Sequence, residues 1–348
     1  ILVASTKNIL TIRNDKLGDF MLARPTVQMG KQAFPKATIY ALVPEYTKPM
    51  AEICPWIDEI IVDDQPEGLS GLIKTTSKLK AANIDATLNL HSTPRLALAL
   101  FFAGIRHRFA PASRIDQILY NHTLAQRRSR SEKPEYEYNT DLAGFMLNYY
   151  GIDVSYSLSP PLLKFPEQEI QTIKQSFYSD NKIEANRKLI FVHAGTGGSA
   201  TNLLVEQYAS LIKLLSEDDS LFLVLTAGPG EQDIAQQLSG LIGDCHHSIY
   251  YSDKGIIEFS KFVSIAHFFI SGSTGTLHIA GALNIPVVAF YPRRRSATSL
   301  RWRTLNSEKR ILSLTLPESN DTPDNQYIEN TCRNIKVYLE KHNQAKQS

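Results

Sequence analysis

The chain has 348 residues, 43% of them hydrophobic, and a formal charge of +2 at pH 7. That length exceeds one ordinary domain and the apolar content supplies a substantial core, so two domains are expected. A near-neutral balance gives no global argument for nucleic acid, and an anionic partner must be met by a local patch. No stretch approaches the roughly 18 uncharged apolar residues of a spanning helix, and the opening run ILVAS lacks the flanks of a secretory signal, so the chain reads as soluble and cytosolic. Cys54, Cys245 and Cys332 are scattered, with no Cys-x-x-Cys pair, which argues against a disulfide framework or a structural zinc.

Taken in chain order, short apolar runs at 8–13, 38–43, 59–62 and 85–90 predict buried strands. Amphipathic stretches at 20–34, 69–82 and 94–103 predict the helices between them. Such alternation implies a parallel sheet wound with right-handed crossovers. The segment 157–166, SLSPPLLKFP, has three prolines and predicts an extended linker. The same grammar then restarts, with strands at 189–193, 221–226, 267–271 and 287–291 and helices at 206–215, 231–241 and 276–283. A last amphipathic helix covers 326–342. The expected fold is α/β, with two Rossmann-like domains over 1–160 and 167–325 whose parallel sheets face each other across a cleft. The C-terminal helix, 326–348, is expected to pack back towards the first domain. Open α/β sheets bind ligands at the carboxyl ends of their strands.

Three motifs stand at such ends. RNDKLGD, residues 13–19, follows the first strand; Gly18 permits close approach of a partner and Asp19 projects at the helix start as a candidate proton acceptor. Helix capping explains Asp19 equally well from spacing alone. The Gly-x-Gly-x-x-Gly fingerprint is absent, which argues against a dehydrogenase. HAGTGGSATN, residues 193–202, is a glycine-rich loop in which Thr196, Gly197 and Ser199 can cradle a phosphate, although a tight turn needs the same residues. SGSTGTLHIAGAL, residues 271–283, ends a strand in Ser273, Thr274 and Gly275 and opens a helix whose dipole suits a diphosphate. His278 lies one turn on, facing either the ligand or the core.

In this order and spacing the motifs resemble glycosyltransferase family 9, the bacterial heptosyltransferases of the lipopolysaccharide inner core. The stretches TAGPGEQD, residues 226–233, and YPRRRSATSLRW, residues 291–302, carry the resemblance further, so that it covers nearly the whole chain. It implies the GT-B fold and an inverting, metal-independent transfer without a cofactor. It also implies a nucleotide-sugar donor such as ADP-heptose held by the second domain. By the same resemblance Asp19 is the base, Thr196, Gly197 and Ser199 form the phosphate loop, and Glu231 meets the ribose. Ser273, Thr274, Gly275 and His278 match the donor diphosphate site. Family members often carry lysine where this chain has Thr201, and aspartate where it has Ser273; both departures touch donor recognition.

Arg106, Arg108, Arg114, Arg127, Arg128, Arg130 and Lys133 crowd one segment of the first domain. Arginine forks bind carboxylate and phosphate, so Arg106, Arg127, Arg128 and Arg130 are candidate contacts for an acidic glycolipid acceptor such as Kdo-lipid A or the inner core. A solvated surface is the competing reading of each arginine. Arg293, Arg294 and Arg295 could meet donor phosphate or anionic lipid, consistent with an enzyme peripheral to the inner face of the inner membrane. A sugar-nucleotide epimerase of the same fold and a non-catalytic glycan-binding relative are the alternatives.

Overall fold

A computed structural model of the chain describes residues 7–63, 68–112, 115–196, 202–316 and 325–344. The chain divides into two units, Ile1–Leu158 and Ser159–Ser348. The division falls inside the proline-rich segment read as a linker.

The first unit runs β1 (Asn8–Ile12), α1 (Leu17–Ala33), β2 (Thr38–Val43), α2 (Lys48–Glu52), β3 (Glu59–Val62), α3 (Gly68–Ala81) and β4 (Ala86–Asn89). It continues with α4 (Pro94–Phe102), β5 (His107–Pro111), β6 (His122–Leu124) and α5 (Glu135–Tyr149). All strands pair in parallel in the order β3-β2-β1-β4-β5-β6. Side chains alternate across the sheet. Ile9 packs with Val27, Leu88 and Leu142 beneath α1 and α5, while Leu10 and Ile12 pack with Leu42, Leu79 and Leu96 beneath α3 and α4.

The second unit runs α6 (Glu167–Asp180), β7 (Lys188–His193), α7 (Val205–Leu215), β8 (Leu221–Ala227), α8 (Gln232–Ile242), β9 (His247–Tyr251) and α9 (Ile256–Val263). It continues with β10 (Phe268–Gly272), α10 (Gly275–Ala282), β11 (Val287–Tyr291), β12 (Ile311–Thr315) and α11 (Asn325–Gln344). Its parallel order is β12-β11-β10-β7-β8-β9. The two sheets share one winding: each starts at an inner strand, builds to one side, then returns to build on the other. Each therefore reverses direction once, between β1 and β4 and between β7 and β10, and ligands of open α/β sheets bind at such reversals.

The strands absent from the sequence reading are β5, β6, β9 and β12. Three of them, β6, β9 and β12, are edge strands, where a neighbour covers one side only and a continuous apolar run is not required; β9 is half-buried along its whole length. β5 lies inside the sheet but carries His107 and Arg108 at its start. α6 has no buried residue and hence no apolar stripe to read. The stripe Ile328, Cys332, Ile335, Tyr338 and Leu339 of the C-terminal helix joins the core of the second unit beside α7.

Candidate functional site

The first motif folds around one guanidinium. Arg13 follows β1 and is buried. Its Nη2 donates to Asp19 Oδ1, its Nε to Asp15 Oδ1 at 2.9 Å, and its Nη1 to Glu135 Oε1 at 3.2 Å. Burial works against the Arg13 charge, but Asp19, Asp15 and Glu135 outweigh it and hold the pKa above the ordinary guanidinium value. The arginine is a permanent cation. Glu135 Oε1 also accepts from Arg128 Nη1 at 2.7 Å, and Arg128 Nε donates to Gln126 Oε1 at 3.0 Å. His91 Nδ1 stands 3.3 Å from Asp15 Oδ2.

Asp19 does not cap its helix. α1 starts at Leu17 with Lys16 as the N-cap, so Asp19 sits inside the first turn with 8% of its surface exposed. Glu135 occupies the first position of α5. Two helix N-termini thus deliver carboxylates to one buried cation, an arrangement the helix dipoles favour. A second buried cluster fixes the turn from below: Asn14 Nδ2 donates to Asp63 Oδ2 at 2.8 Å, and Arg95 Nη2 reaches the same oxygen at 2.5 Å. These contacts hold the 13–16 turn at the β1/β4 reversal.

In the second unit the glycine-rich loop and the α10 motif leave β7 and β10, which are paired neighbours with Ser271 opposite His193. They flank the second reversal point. His193 Nδ1 lies 3.0 Å from Thr226 Oγ1, and its Nε2 lies 3.5 Å from Glu231 Oε2. Burial lowers the His193 pKa although Glu231 works the other way, so the ring is neutral near pH 7. Glu231 Oε2 accepts the Gly228 N–H at 2.8 Å, and the Glu231 side chain folds over Gly195. Asn202 ties the far end of the loop: its Nδ2 donates to Ala194 O at 3.2 Å and its Oδ1 accepts from Tyr208 at 2.6 Å. Its side chain fills the space a Cβ on Gly272 would need.

Thr274 is the extended residue before α10, and its Oγ1 lies 2.9 Å from Thr276 Oγ1 and 3.3 Å from Ser271 Oγ. The first N–H groups of α10 have no intrahelical acceptors and carry the positive end of the dipole, which is the geometry of an anion cradle. Thr196, Ser273 and Gly275 are half-buried at the same strand ends, and His278 is buried one turn into α10. Gly197, Ser199 and Thr201 lie outside the described residues, as does Arg114.

The arginines separate. Arg128 is committed to Glu135 and Gln126, whereas Arg127 and Arg130 are exposed, the latter 3.6 Å from Glu132. Arg127 lines a groove of about 700 Å³ with Gln126, Lys133, Tyr138 and Tyr156. Arg106 is not brought to this site. It precedes β5, at the amino end of a parallel strand, while Asp19 follows the carboxyl end of β1. The sequence reading missed the partners of the motif, above all Glu135. Its signal, Pro-Glu-x-Glu before an amphipathic run, marks a helix start and says nothing of Arg13.

Among the described residues no group of three His, Cys, Asp or Glu side chains is arranged to hold a metal ion, and no helix is long and apolar enough to cross a membrane. The profile of glycosyltransferase family 9 (heptosyltransferase) matches residues 72–331. A Haemophilus influenzae protein provisionally named a glycosyltransferase is 40% identical over 96% of this chain and 97% of its own. Lipooligosaccharide heptosyltransferase 2 of Haemophilus ducreyi is 25% identical over 81% of this chain and 82% of its own. The structure of the Escherichia coli ADP-heptose lipopolysaccharide heptosyltransferase II superposes with a TM-score of 0.74 at 18% identity, covering 97% of this chain and 99% of that one. That likeness shows the fold to be GT-B.

Proposed function

The chain belongs to glycosyltransferase family 9, the heptosyltransferase family, and is a glycosyltransferase; on that premise we propose that it moves a heptose from ADP-heptose to an acidic lipopolysaccharide inner-core acceptor. The names of its relatives support the heptose and the nucleotide. The observation that carries the reading is the pairing of the 193–196 turn with the α10 N-terminus at adjacent strand ends, which suits a nucleotide diphosphate.

In this mechanism the acceptor hydroxyl lies against Asp19, which takes its proton as the oxygen bonds to the anomeric carbon from the face opposite the nucleotide. The configuration inverts through an oxocarbenium-like state. The C–O bond to the diphosphate breaks, and the charge left there is met by Thr196, Ser199 and the N–H groups at Thr274 and Gly275. Arg13 keeps Asp19 oriented. The reaction uses no metal or other cofactor, and the enzyme works at the cytoplasmic face of the inner membrane, where its acceptor is made. Arg127 and Arg130 meet acidic groups of that acceptor.

A thermal-shift panel of ADP, UDP, GDP and CDP tests the donor, since a ligand of the folded state raises stability by mass action. ADP is expected to give the largest shift. A response to UDP alone would remove the heptose while leaving the fold untouched.

A further inference from the structure

Large apolar side chains are exposed together on one flank of the first unit. Leu69 and Ile73 on α3 are 71% and 61% exposed, Phe101 and Phe102 at the end of α4 are 49% and 53%, and Ile118 in the turn after β5 is 85%. α3 packs along α4, and α4 packs against the 3-10 turn Ile115–Leu119. The surface is continuous at its lower end. The Phe101 and Phe102 rings meet edge to face at 5.7 Å, the Arg108 guanidinium lies 5.6 Å from the Phe101 ring, and Arg108 Nε donates to Leu119 O at 2.9 Å.

Along α3 and α4 the charge has one sign. α3 and α4 carry Lys74, Lys78, Lys80 and Arg95 and no carboxylate, and Arg106 and Arg108 follow α4. Lys78 is used on Val62 O and Arg95 on Asp63, whereas Lys74, Lys80 and Arg106 are exposed. Exposed apolar tips flanked by the cations of α3 and α4 match an anionic bilayer, in which phenyl and aliphatic groups enter the boundary beneath the headgroups and ammonium and guanidinium groups meet the phosphates. A folded protein partner would have to supply carboxylates at the rim and a shaped apolar core.

We propose that the α3/α4 flank docks the first unit on an anionic lipid surface, with Phe101, Phe102 and Ile118 inserted and Lys74, Lys80 and Arg106 against lipid phosphate. This assigns Arg106 to the membrane and not to the sugar acceptor. The inference deepens the reading of a membrane-borne acceptor, and rests on that reading only for its purpose, because vesicles free of acceptor test it alone.

The test is flotation of the full chain with phosphatidylglycerol-containing vesicles and with pure phosphatidylcholine vesicles. Binding to the anionic vesicles is expected, weakened roughly tenfold or more by Phe101→Ser with Phe102→Ser and also by Lys74→Gln, Lys80→Gln and Arg106→Gln together. Salt should weaken the wild type towards the level of the charge variant. All these positions are exposed, so unchanged melting temperatures are expected of both variants. Absence of wild-type binding, or binding at the wild-type level by both variants, overturns the proposal. So does a wild-type dimer in sedimentation velocity that the phenylalanine variant abolishes, since a second copy would then be the occupant. Loss of sugar transfer with vesicle binding intact would count against the proposed reaction and leave the docking surface standing.

Discussion

The Glu231 carboxylate lies over Gly195, in the space a Cβ at position 195 would take. Glycine leaves that space to the end of the flexible Glu231 side chain, and its backbone is not left-handed. Gly195→Ala should expel Glu231 from His193 and from the Gly228 N–H, costing about 1–3 kcal/mol in stability and weakening nucleotide binding. Because one contact underlies both effects, adding Gly195→Ala to Glu231→Ala should cost little more than Glu231→Ala alone. Thermal melts and calorimetric ADP titrations of the three variants check this; additive losses would separate the two residues.

Asp19→Asn keeps size and the first-turn position while removing proton acceptance. Turnover is expected to fall on the order of 100- to 10,000-fold with ADP affinity and melting temperature near wild type. The structure excludes capping as the role of Asp19, since Lys16 holds that position. Near-wild-type turnover by a folded variant would sink the mechanism.

Glu135 stands between Arg13 and Arg128 and touches both through one oxygen. Glu135→Ala should leave two guanidiniums facing each other in a buried site, a loss of about 3–5 kcal/mol typical of a broken buried ion pair. Arg128→Gln should destabilise through the same network. Denaturant titrations decide the point, and an unchanged midpoint for Glu135→Ala would show the bridge to be incidental.

Arg127 and Arg130 should behave differently from Arg128. Neutralising the two exposed arginines to glutamine should raise the acceptor Michaelis constant at unchanged melting temperature. The effect should shrink with salt, because exposed charges are screened beyond about 10 Å at 0.1 M. Donor kinetics serve as the internal control.

Acid should destabilise the chain earlier than its carboxylates alone would require. Burial lowers the pKa of His107, His122 and His193; nearby charge adds to this at His107 and His122, where Arg108 contributes, and opposes it at His193, where Glu231 stands. Each ring therefore binds its proton more readily in the unfolded chain. Their stabilising contribution is complete above about pH 6.5 and declines as the pH falls from there through the lowered folded values. Melting temperatures followed downwards from about pH 7 should show the decline, and His107→Gln with His122→Gln should flatten it.

The sequence by itself determined the winding of both units, because strand and helix periods are local and a strand-helix-strand unit leaves one handedness of crossover. It also placed the three motifs at strand ends, where Asp19, Thr196, Thr274 and Gly275 do stand. Only the tertiary structure decided what those motifs are made with. Strand order brought β7 beside β10 and so joined the 193–196 turn to the α10 start, although 78 residues separate His193 from Ser271 in partner numbering. Arg13 and Glu135, 122 residues apart, meet because α1 and α5 pack on the same face of one sheet. Arg106 and Arg128, near neighbours in an arginine-rich segment, part company because β5 and β6 carry the chain from one end of that sheet to the other. Charge counted along a segment is blind to this: a parallel strand moves its two ends some 3.3 Å apart per residue, and that distance, not sequence spacing, decides which groups share a site.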